Sequence, residues 1–168
     1  MNATGRDVGL NRALQATKHP VFMGDSVELA QGLELFSCNA RSHPFGSKSF
    51  GLSVQRNDVT EPDDFWHEQY LLITEGKKRV LISGCSHKGI LNLSAWFLSD
   101  VLVGGFHFMK LDPTADGLAA LDRAARELSR HKMIYYTCHC TGTAQYKYLK
   151  TKMNQQLHYT SCGQTLEL

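Results

Sequence analysis

Residues 79–98 read RVLISGCSHKGILNLSAWFL and combine two patterns. The run Arg79–Ser83 is rich in β-formers and predicts a strand, whereas the apolar spacing of Gly89–Leu98 predicts a buried helix. Between them, residues 84–88 place a cysteine and a histidine in a short turn. A strand that turns into a helix is a building unit of α/β proteins. This stretch therefore predicts an α/β or α+β fold, in which helices pack on a mixed sheet.

The residues on either side continue this alternation. The runs Gln69–Thr74 and Arg79–Ser83 flank the turn-forming sequence EGKK and predict a hairpin. Thr114 is predicted to cap a helix that extends to Arg130, because the leucines of that segment fall on one face. The other predicted elements are the strands Val101–Val103, Met133–Thr137, Leu157–Thr160 and Thr165–Leu168, with a turn at Gly163, and the helix Thr143–Met153.

The first part of the chain, residues 1–64, has a different texture. Glycine and proline break it into short pieces, which predicts loops with short strands at His19–Met23 and Leu33–Phe36. The polar segment Ala40–Gly51 has no periodicity and is predicted to be a surface loop. We therefore predict one domain over residues 1–168, with residues 1–64 loop-rich and residues 65–168 built from regular strands and helices.

Composition narrows the class of protein. The 168 residues carry 18 Lys and Arg against 16 Asp and Glu, so the formal net charge is +2 and favours neither nucleic acid nor a membrane surface as partner. The apolar runs are much shorter than the roughly 20 residues that span a bilayer. Five cysteines are an odd number in a chain that can build its own core, so reduced thiols are expected. With no secretory signal visible, these features predict a cytoplasmic protein.

Three histidines follow predicted strands beside glycine or small residues: His87, His107 and His139. In α/β sheets, functional side chains gather where strands end. Neutral imidazole binds zinc, iron or manganese, so these histidines can form a metal centre. Alternatively, they only satisfy backbone groups. A third possibility is that Cys85 is a thiol nucleophile with His87 as its base.

The remaining histidines lack this context. His19, His43, His131 and His158 are interpreted as structural, whereas His67 follows two carboxylates and is either an outer-shell or a surface residue. The sequence contains no HxH or HExxH motif. A zinc knuckle formed by Cys138 and Cys140 is not favoured, because a strand there would project both side chains away from the face of His139 and no second cysteine pair follows.

Together the motifs GCSHKGILN (84–92), VGGFH (103–107) and HCTG (139–142) resemble the metallo-β-lactamase-fold superfamily. The nearest branch is the metal-dependent hydrolase group that includes proteins similar to dihydropterin ribofuranosyl-aminobenzene-phosphate synthases. The resemblance covers about residues 18–168 and implies an αββα sandwich with a two-metal site, usually zinc. It implies that His87 and His139 are metal ligands. His107 lies where much of the superfamily has a bridging aspartate.

The sequence also departs from that family, because it has no HxHxDH loop to supply further histidines and the catalytic aspartate. The resemblance therefore implies the C-terminal half to two-thirds of the fold, with at most one weakly held metal and weak or no catalysis by this chain alone. The small-molecule substrate of the complete fold is not indicated. The residues that border the predicted centre are Ser86, Lys88, Asn92, Thr141 and Gly142.

A non-catalytic interaction module is the alternative function. Half of a sandwich exposes the sheet face that the other half covers, and such a face pairs with another chain or aggregates. This alternative predicts a homo-oligomer or an exchanged dimer.

Overall fold

The computed structural model describes residues 23–112 and 114–168. Nine strands and three α-helices lie in this part of the chain. The strands are β1 (Ser26–Ala30), β2 (Leu33–Phe36), β3 (Ser53–Arg56), β4 (Val59–Pro62), β5 (Tyr70–Glu75), β6 (Lys78–Ser83), β7 (Val101–Gly104), β8 (Ile134–Thr137) and β9 (Leu157–Tyr159). The helices are α1 (Ile90–Phe97), α2 (Ala115–Ser129) and α3 (Thr143–Met153), with 3-10 turns at His139–Thr141 and Asn154–Gln156.

A mixed sheet organises the described residues. Seven strands form it in the order β1-β2-β5-β6-β7-β8-β9. Pairing is antiparallel from β1 to β6 and parallel from β6 to β9. The three parallel connections contain α1, α2 and α3 in turn, and α2 packs against both α1 and α3, as expected when right-handed crossovers place all three helices on one face. The predicted α/β architecture with a mixed sheet is therefore confirmed.

The hydrophobic core lies between the sheet and these helices. Leu81, Leu102, Tyr135 and Leu157 are neighbours across β6, β7, β8 and β9, and each has an exposed fraction of 0%. Close packing across four strands fixes their register, since a shift by one residue would move every core side chain to the other face. The strand ends that follow are therefore held in fixed positions.

The opposite face of the sheet is less well covered. Ile82, Val103 and Tyr136 form the next row across β6, β7 and β8, and all three side chains are partly exposed in the described structure. An apolar row with this exposure is unlike the fully buried row on the helix-covered face.

Most predicted elements are confirmed, with small shifts at their ends. The hairpin consists of β5 and β6, the strand Leu33–Phe36 is β2, and the helix Thr143–Met153 is α3. The segment Ala40–Gly51 contains no helix or strand, as predicted.

Three further predictions, two of a strand and one of a helix cap, have different outcomes. The predicted strand Thr165–Leu168 is wrong, because these residues form no strand after the turn at Gly163. Thr114 does occupy the N-cap position of α2, but its side chain makes no capping hydrogen bond. The predicted strand His19–Met23 lies outside the described residues apart from Met23.

The antiparallel pair β3 and β4 was not predicted. Asn57 and Asp58 connect the two strands with φ values of 47° and 63°, the left-handed conformation that two-residue hairpin turns require. Because both strands are short and mostly exposed, they lack the alternation of apolar and polar residues that identifies a strand in sequence.

The helices do not provide a membrane span. Within the described residues, none is both long enough and apolar enough to cross a bilayer.

Gly104 permits the close approach of β6 and β7, which gives a first testable prediction. A Cβ atom at this position would lie 2.6 Å from the backbone carbonyl oxygen of Ser83. We expect Gly104→Ala to lower the free energy of unfolding by about 1–3 kcal/mol, because the backbone must move to relieve the overlap. Urea denaturation followed by circular dichroism measures this change.

Gly84→Ala is the matched control, because a Cβ at Gly84 meets no atom within 4 Å. An equal loss of stability in both variants would show that crowding at Gly104 is not the cause.

Candidate metal centre

The three histidine-bearing motifs leave the sheet at the same edge. They follow β6, β7 and β8, which are adjacent and parallel, so their carboxyl ends lie side by side. The backbone N–H of Gly105 donates a 2.7 Å hydrogen bond to the carbonyl oxygen of Gly84, which ties the first two motifs together. The predicted convergence of the motifs at strand ends is therefore observed.

Two of the three predicted histidines form a cluster with a cysteine. One potential ligand atom each from Cys85, His87 and His107 lies within 4.8 Å of the others. The ring centroids of His87 and His107 are 4.3 Å apart. Cys85, considered from the sequence as a nucleophile, thus lies where a metal ligand would lie.

The imidazole nitrogens of this cluster lack partners within the described residues. Nδ1 of His87 and both ring nitrogens of His107 are buried and form no hydrogen bond there. A buried polar atom without a partner costs free energy, and coordination to a metal ion would remove that cost. These unpartnered nitrogens are the observation that fits a metal ion at the cluster.

His107 is suited to metal binding by its protonation state as well as by its position. Its exposed fraction is 8%, and burial, together with the nearby His87, lowers the pKa of His107 to about 4. The ring is therefore neutral at physiological pH. A neutral imidazole has the free electron pair that a metal ion requires.

The backbone is strained in each of the three motifs. Ser86, His107 and His139 have φ values of 56°, 56° and 47°, in the left-handed region that L-residues seldom adopt. Such conformations cost about 1–3 kcal/mol each and occur preferentially at functional sites. Each of the three motifs therefore contains a strained residue that the surrounding structure must stabilise.

His139 lies outside the cluster. It is exposed and begins the 3-10 turn that follows β8. Because the chain leaves the strand at Thr137, the assumption that Cys138, His139 and Cys140 alternate along a strand is wrong. The role of His139 as a metal ligand stays a prediction.

Cys140 contributes to the packing at this edge and not to the cluster. Its Sγ is buried and donates a 3.6 Å hydrogen bond to the carbonyl oxygen of Cys85. Burial raises the pKa of Cys140 to about 12, which keeps this thiol protonated and unreactive.

Aromatic side chains hold the two imidazoles in place. The ring of Phe65 stacks on His87 with a centroid distance of 4.3 Å and an interplanar angle of 5°. The ring of Phe50 packs on His107 at 4.5 Å. With one aromatic neighbour each, both histidines have little rotational freedom, which is the preorganisation that a binding site needs.

Glu68 fixes the turn that carries the cysteine and His87. One carboxylate oxygen accepts the backbone N–H of His87 at 2.7 Å, and the other accepts the N–H of Lys88 at 3.0 Å and the hydroxyl of Tyr70. Its side chain is buried, so these are charge-assisted hydrogen bonds in a poorly solvated place. Sequence reasoning missed Glu68, because nothing local to it indicates burial.

Lys88 has a structural role that its position in the motif did not reveal. Its exposed fraction is 1%, and its Nζ donates hydrogen bonds to the carbonyl oxygen of Ser37 and to Oδ1 of Asn39. Burial lowers the pKa of Lys88, and the charge of Glu68 opposes that shift. The ammonium group of Lys88 therefore binds the loop that follows β2.

Asn92 and Thr141, also predicted to border the centre, are used internally. The amide nitrogen of Asn92 donates to the carbonyl oxygens of Lys88 at 2.6 Å and Gly46 at 2.8 Å. Thr141 Oγ1 accepts the backbone N–H of Phe106 at 2.8 Å. Their contribution is to position the loops around the cluster.

Ser86 and Gly142 have different surroundings. Ser86 lines a cavity next to His87, and its hydroxyl lies 2.8 Å from that of Ser83. Gly142 has a φ of 81° at the start of α3, a conformation that favours glycine.

The remaining histidines that the structure describes are outside the cluster. His67 is exposed, with Nδ1 3.9 Å from the carboxylate of Asp63. Nε2 of His158 lies 2.8 Å from the carbonyl oxygen of Gln155. His19 lies outside the described residues.

The cluster has the composition of a catalytic metal site. Thiolate and imidazole are the ligands that zinc prefers, and three protein ligands with one open coordination position are typical of catalytic zinc. His87 and His107 also line a cavity of about 190 Å³, so a small molecule there would lie next to the two imidazoles. The residues present thus fit a single divalent ion.

Comparison with known proteins identifies the fold. The solved structure of Tm1679, described as a metal-dependent hydrolase of the beta-lactamase superfamily, is similar, with a TM-score of 0.67 and 23% sequence identity. The similarity covers 89% of this chain and 58% of that chain, so this chain spans little more than half the length of its structural neighbour. The sequence matches no protein-family model and no curated protein. This chain therefore shares the fold of that neighbour, and the fold that the motifs predicted is confirmed.

Proposed function

We propose that this protein is a metal-dependent hydrolase that binds one divalent ion, zinc in the first instance, through Cys85, His87 and His107. The supporting observation is the cluster itself, in which three ligand atoms lie within 4.8 Å of one another and the imidazole nitrogens are unpartnered among the described residues. The description of the structural neighbour as a metal-dependent hydrolase favours the same chemistry.

The protein's own residues would hold the site in a fixed arrangement. When bound, a divalent ion lowers the pKa of a coordinated water to about 7 and polarises a substrate oxygen. Glu68 orients the turn that presents Cys85 and His87, while Phe50 and Phe65 limit the motion of the two imidazoles. The neighbouring cavity would bring a substrate next to His87 and His107, two of the residues that would hold the ion.

The proposal predicts one bound divalent ion per chain. Protein purified without added metal, then titrated with zinc and analysed by plasma emission spectrometry, is expected to reach one ion per chain. Cobalt substitution is expected to produce thiolate-to-cobalt charge-transfer absorption, which Cys85→Ser removes. Cys162→Ser is the matched control, because Cys162 is exposed and lies outside the cluster.

Two outcomes would contradict this assignment. Failure to bind zinc or cobalt would exclude a metal centre made by these residues. Two tightly bound ions per chain would show that other residues complete the two-metal site of the related fold.

The sequence of this chain differs from the wider family in one motif. The sequence has no HxHxDH motif, so the ligands and the aspartate that this motif supplies in the superfamily are not among its residues. We therefore propose slow turnover, or none, by this chain alone. The similarity of the three motifs to the dihydropterin ribofuranosyl-aminobenzene-phosphate synthase branch, and a cytoplasmic location, stay predictions.

Thiol catalysis is a second candidate, because the same proximity of Cys85 to two imidazoles suits a nucleophile and its base. Chelation and alkylation distinguish the two. A metal enzyme loses activity with a chelator and regains it with zinc, whereas a thiol enzyme is inactivated by alkylation of Cys85 and not by the chelator.

An interaction module is the third candidate, favoured by the partly exposed apolar row on the sheet face opposite the helices. It predicts pairing of this chain with a second copy. Light scattering at micromolar concentration is expected to give a dimer, and a monomer would exclude the pairing.

A further inference from the structure

Two cysteines that are far apart in sequence meet at the edge of the sheet that carries the metal cluster. Sγ of Cys140 donates a 3.6 Å hydrogen bond to the carbonyl oxygen of Cys85, which lies 55 residues earlier in the chain. The side chains of the two cysteines also interact with each other. Both thiols are free. Two sulfur atoms that are already neighbours can form a disulfide with little movement of the backbone.

Gly105 permits this contact. Cys85 follows β6 and Cys140 follows β8, so the two strands that precede them lie about 10 Å apart with β7 between them. A Cβ atom at Gly105, directly after β7, would overlap with Sγ of Cys140. The sulfur of Cys140 therefore fills the space that a side chain at Gly105 would occupy, and it reaches across the end of β7 towards Cys85.

The two thiols differ in their access to solvent. Cys85 is partly exposed, whereas the exposed fraction of Cys140 is 2%. Burial, followed by the effect of the neighbouring Cys85, raises the pKa of Cys140 to about 12, so this thiol does not react with reagents from solution. An oxidant therefore reaches Cys85 first, and Cys140 is in place to react with the oxidised sulfur. An accessible cysteine beside a second cysteine is the arrangement found in redox-sensitive pairs.

We propose that Cys85 and Cys140 form a reversible oxidation site, at which a peroxide converts the two neighbouring thiols into a disulfide. The consequence for the metal rests on the proposed function, in which Cys85 is one of the three ligands. A metal ion needs a deprotonated thiolate, and a sulfur atom in a disulfide no longer provides one. Oxidation would therefore release the ion, and reduction by a small thiol would restore the ligand.

The oxidation takes place in two steps that consume one peroxide. The sulfur of Cys85 attacks one oxygen of hydrogen peroxide and the O–O bond breaks, which gives a sulfenic acid, while the other oxygen leaves with the thiol proton as water. The sulfur of Cys140 then attacks the sulfur of Cys85. An S–S bond forms, the S–O bond breaks, and the oxygen leaves with the proton of Cys140 as a second water. Two thiols are thus oxidised to one disulfide and the peroxide is reduced to two waters.

Peptide mapping of the unaltered protein tests the site without any metal. Zinc-free protein is treated with a small excess of hydrogen peroxide, blocked with iodoacetamide, digested with trypsin and analysed by mass spectrometry. We expect the peptide that contains Cys85 to be linked to the peptide that contains Cys140, and dithiothreitol to separate them. No lysine or arginine lies between Cys138 and Cys140, so fragmentation of the linked peptides is needed to assign the second cysteine.

Substitutions in the turn after β8 provide an independent assignment of the second cysteine. Cys140→Ala is expected to abolish the disulfide and to leave zinc affinity almost unchanged, because Cys140 is not one of the clustered ligands. Cys138→Ala is the matched control. It removes a thiol from the same turn but leaves the contact between Cys140 and Cys85 in place, so the disulfide is expected to form as before.

Zinc release tests the consequence for the metal centre. In the presence of a chromogenic chelator, hydrogen peroxide is expected to release one zinc ion for each disulfide formed. After treatment with dithiothreitol and removal of the chelator, the unaltered protein is expected to bind zinc again. In Cys140→Ala the sulfenic acid of Cys85 has no neighbouring thiol and is oxidised further to a sulfinic acid, so the loss of zinc is expected to be irreversible.

The outcomes distinguish this inference from the proposed function. Zinc-free protein in which peroxide produces no disulfide between Cys85 and Cys140, or in which the disulfide joins Cys85 to Cys138, would overturn the inference while zinc binding stands. A disulfide between Cys85 and Cys140 that leaves the bound zinc in place would support the oxidation site and show that Cys85 is not a metal ligand.

Discussion

Replacing His107 with alanine is expected to lower zinc affinity by at least about 100-fold. Loss of an outer-shell partner alone costs 10–100-fold in metal affinity, and His107 would contribute a direct ligand. Both of its ring nitrogens are unpartnered among the described residues, and its low pKa leaves it neutral and ready to coordinate. Competition with a chelator of known zinc affinity measures the change. His87→Ala is expected to have an effect of the same size.

His139→Ala separates the family-based assignment from the arrangement of the cluster. The resemblance implies that His139 is a ligand, whereas its side chain is exposed and is not one of the three clustered groups. We expect His139→Ala to change zinc affinity far less than His107→Ala. His131→Ala, outside the three motifs, is the control for a non-specific effect. If His139→Ala abolished binding and His107→Ala did not, the assignment to Cys85, His87 and His107 would be wrong.

The sequence predicts where the site forms because regular elements determine it. The apolar runs of β6, β7 and β8 require burial, and parallel strands in one sheet necessarily end at one edge. The sequence therefore predicts that the motifs following these strands lie close together. The pairing of Cys85 with His87 and His107 depends on left-handed φ values at Ser86 and His107, which no local pattern indicates.

The buried charges around the site are harder to predict. Lys88 stands in a glycine-flanked motif and is expected to border the predicted centre, yet its Nζ bonds to the loop at Ser37 and Asn39. Glu68, whose charge opposes the effect of burial on the pKa of Lys88, lies 20 residues away in sequence, just before the hairpin. Lysine and glutamate are usually exposed, so only the tertiary structure reveals that these two are buried.

Glu68→Ala is expected to lower the free energy of unfolding by about 3–5 kcal/mol. The change removes the acceptor for the hydroxyl of Tyr70 and for the backbone N–H groups of His87 and Lys88. It also leaves the buried ammonium of Lys88 without the negative charge that offsets its burial. Each buried donor that loses its charged acceptor costs about 1–3 kcal/mol, so the loss of the acceptor for three donors has an effect of this size. Guanidinium denaturation measures the loss of stability.

Two matched variants identify the cause of the loss of stability in Glu68→Ala. Glu68→Gln keeps an oxygen acceptor but removes the charge, so we expect an intermediate loss. Glu61→Ala removes an exposed carboxylate that pairs with Arg56 at 2.6 Å, and is expected to leave stability almost unchanged. Equal stability of Glu68→Ala and Glu61→Ala would show that the carboxylate of Glu68 is not needed for folding.

A double-mutant cycle with Lys88→Met tests whether the two buried charges act together. If the charge of Glu68 chiefly offsets that of Lys88, Glu68→Ala costs less when Lys88 is already methionine, because no buried ammonium remains. If its chief contribution is to the backbone of the turn, the cost is the same in both backgrounds, and zinc affinity falls with Glu68→Ala in each. The backbone N–H groups of the turn that carries Cys85 and His87 donate hydrogen bonds to Glu68 in either case. We therefore expect the coupling to appear in stability, and the loss of zinc affinity to be independent of Lys88.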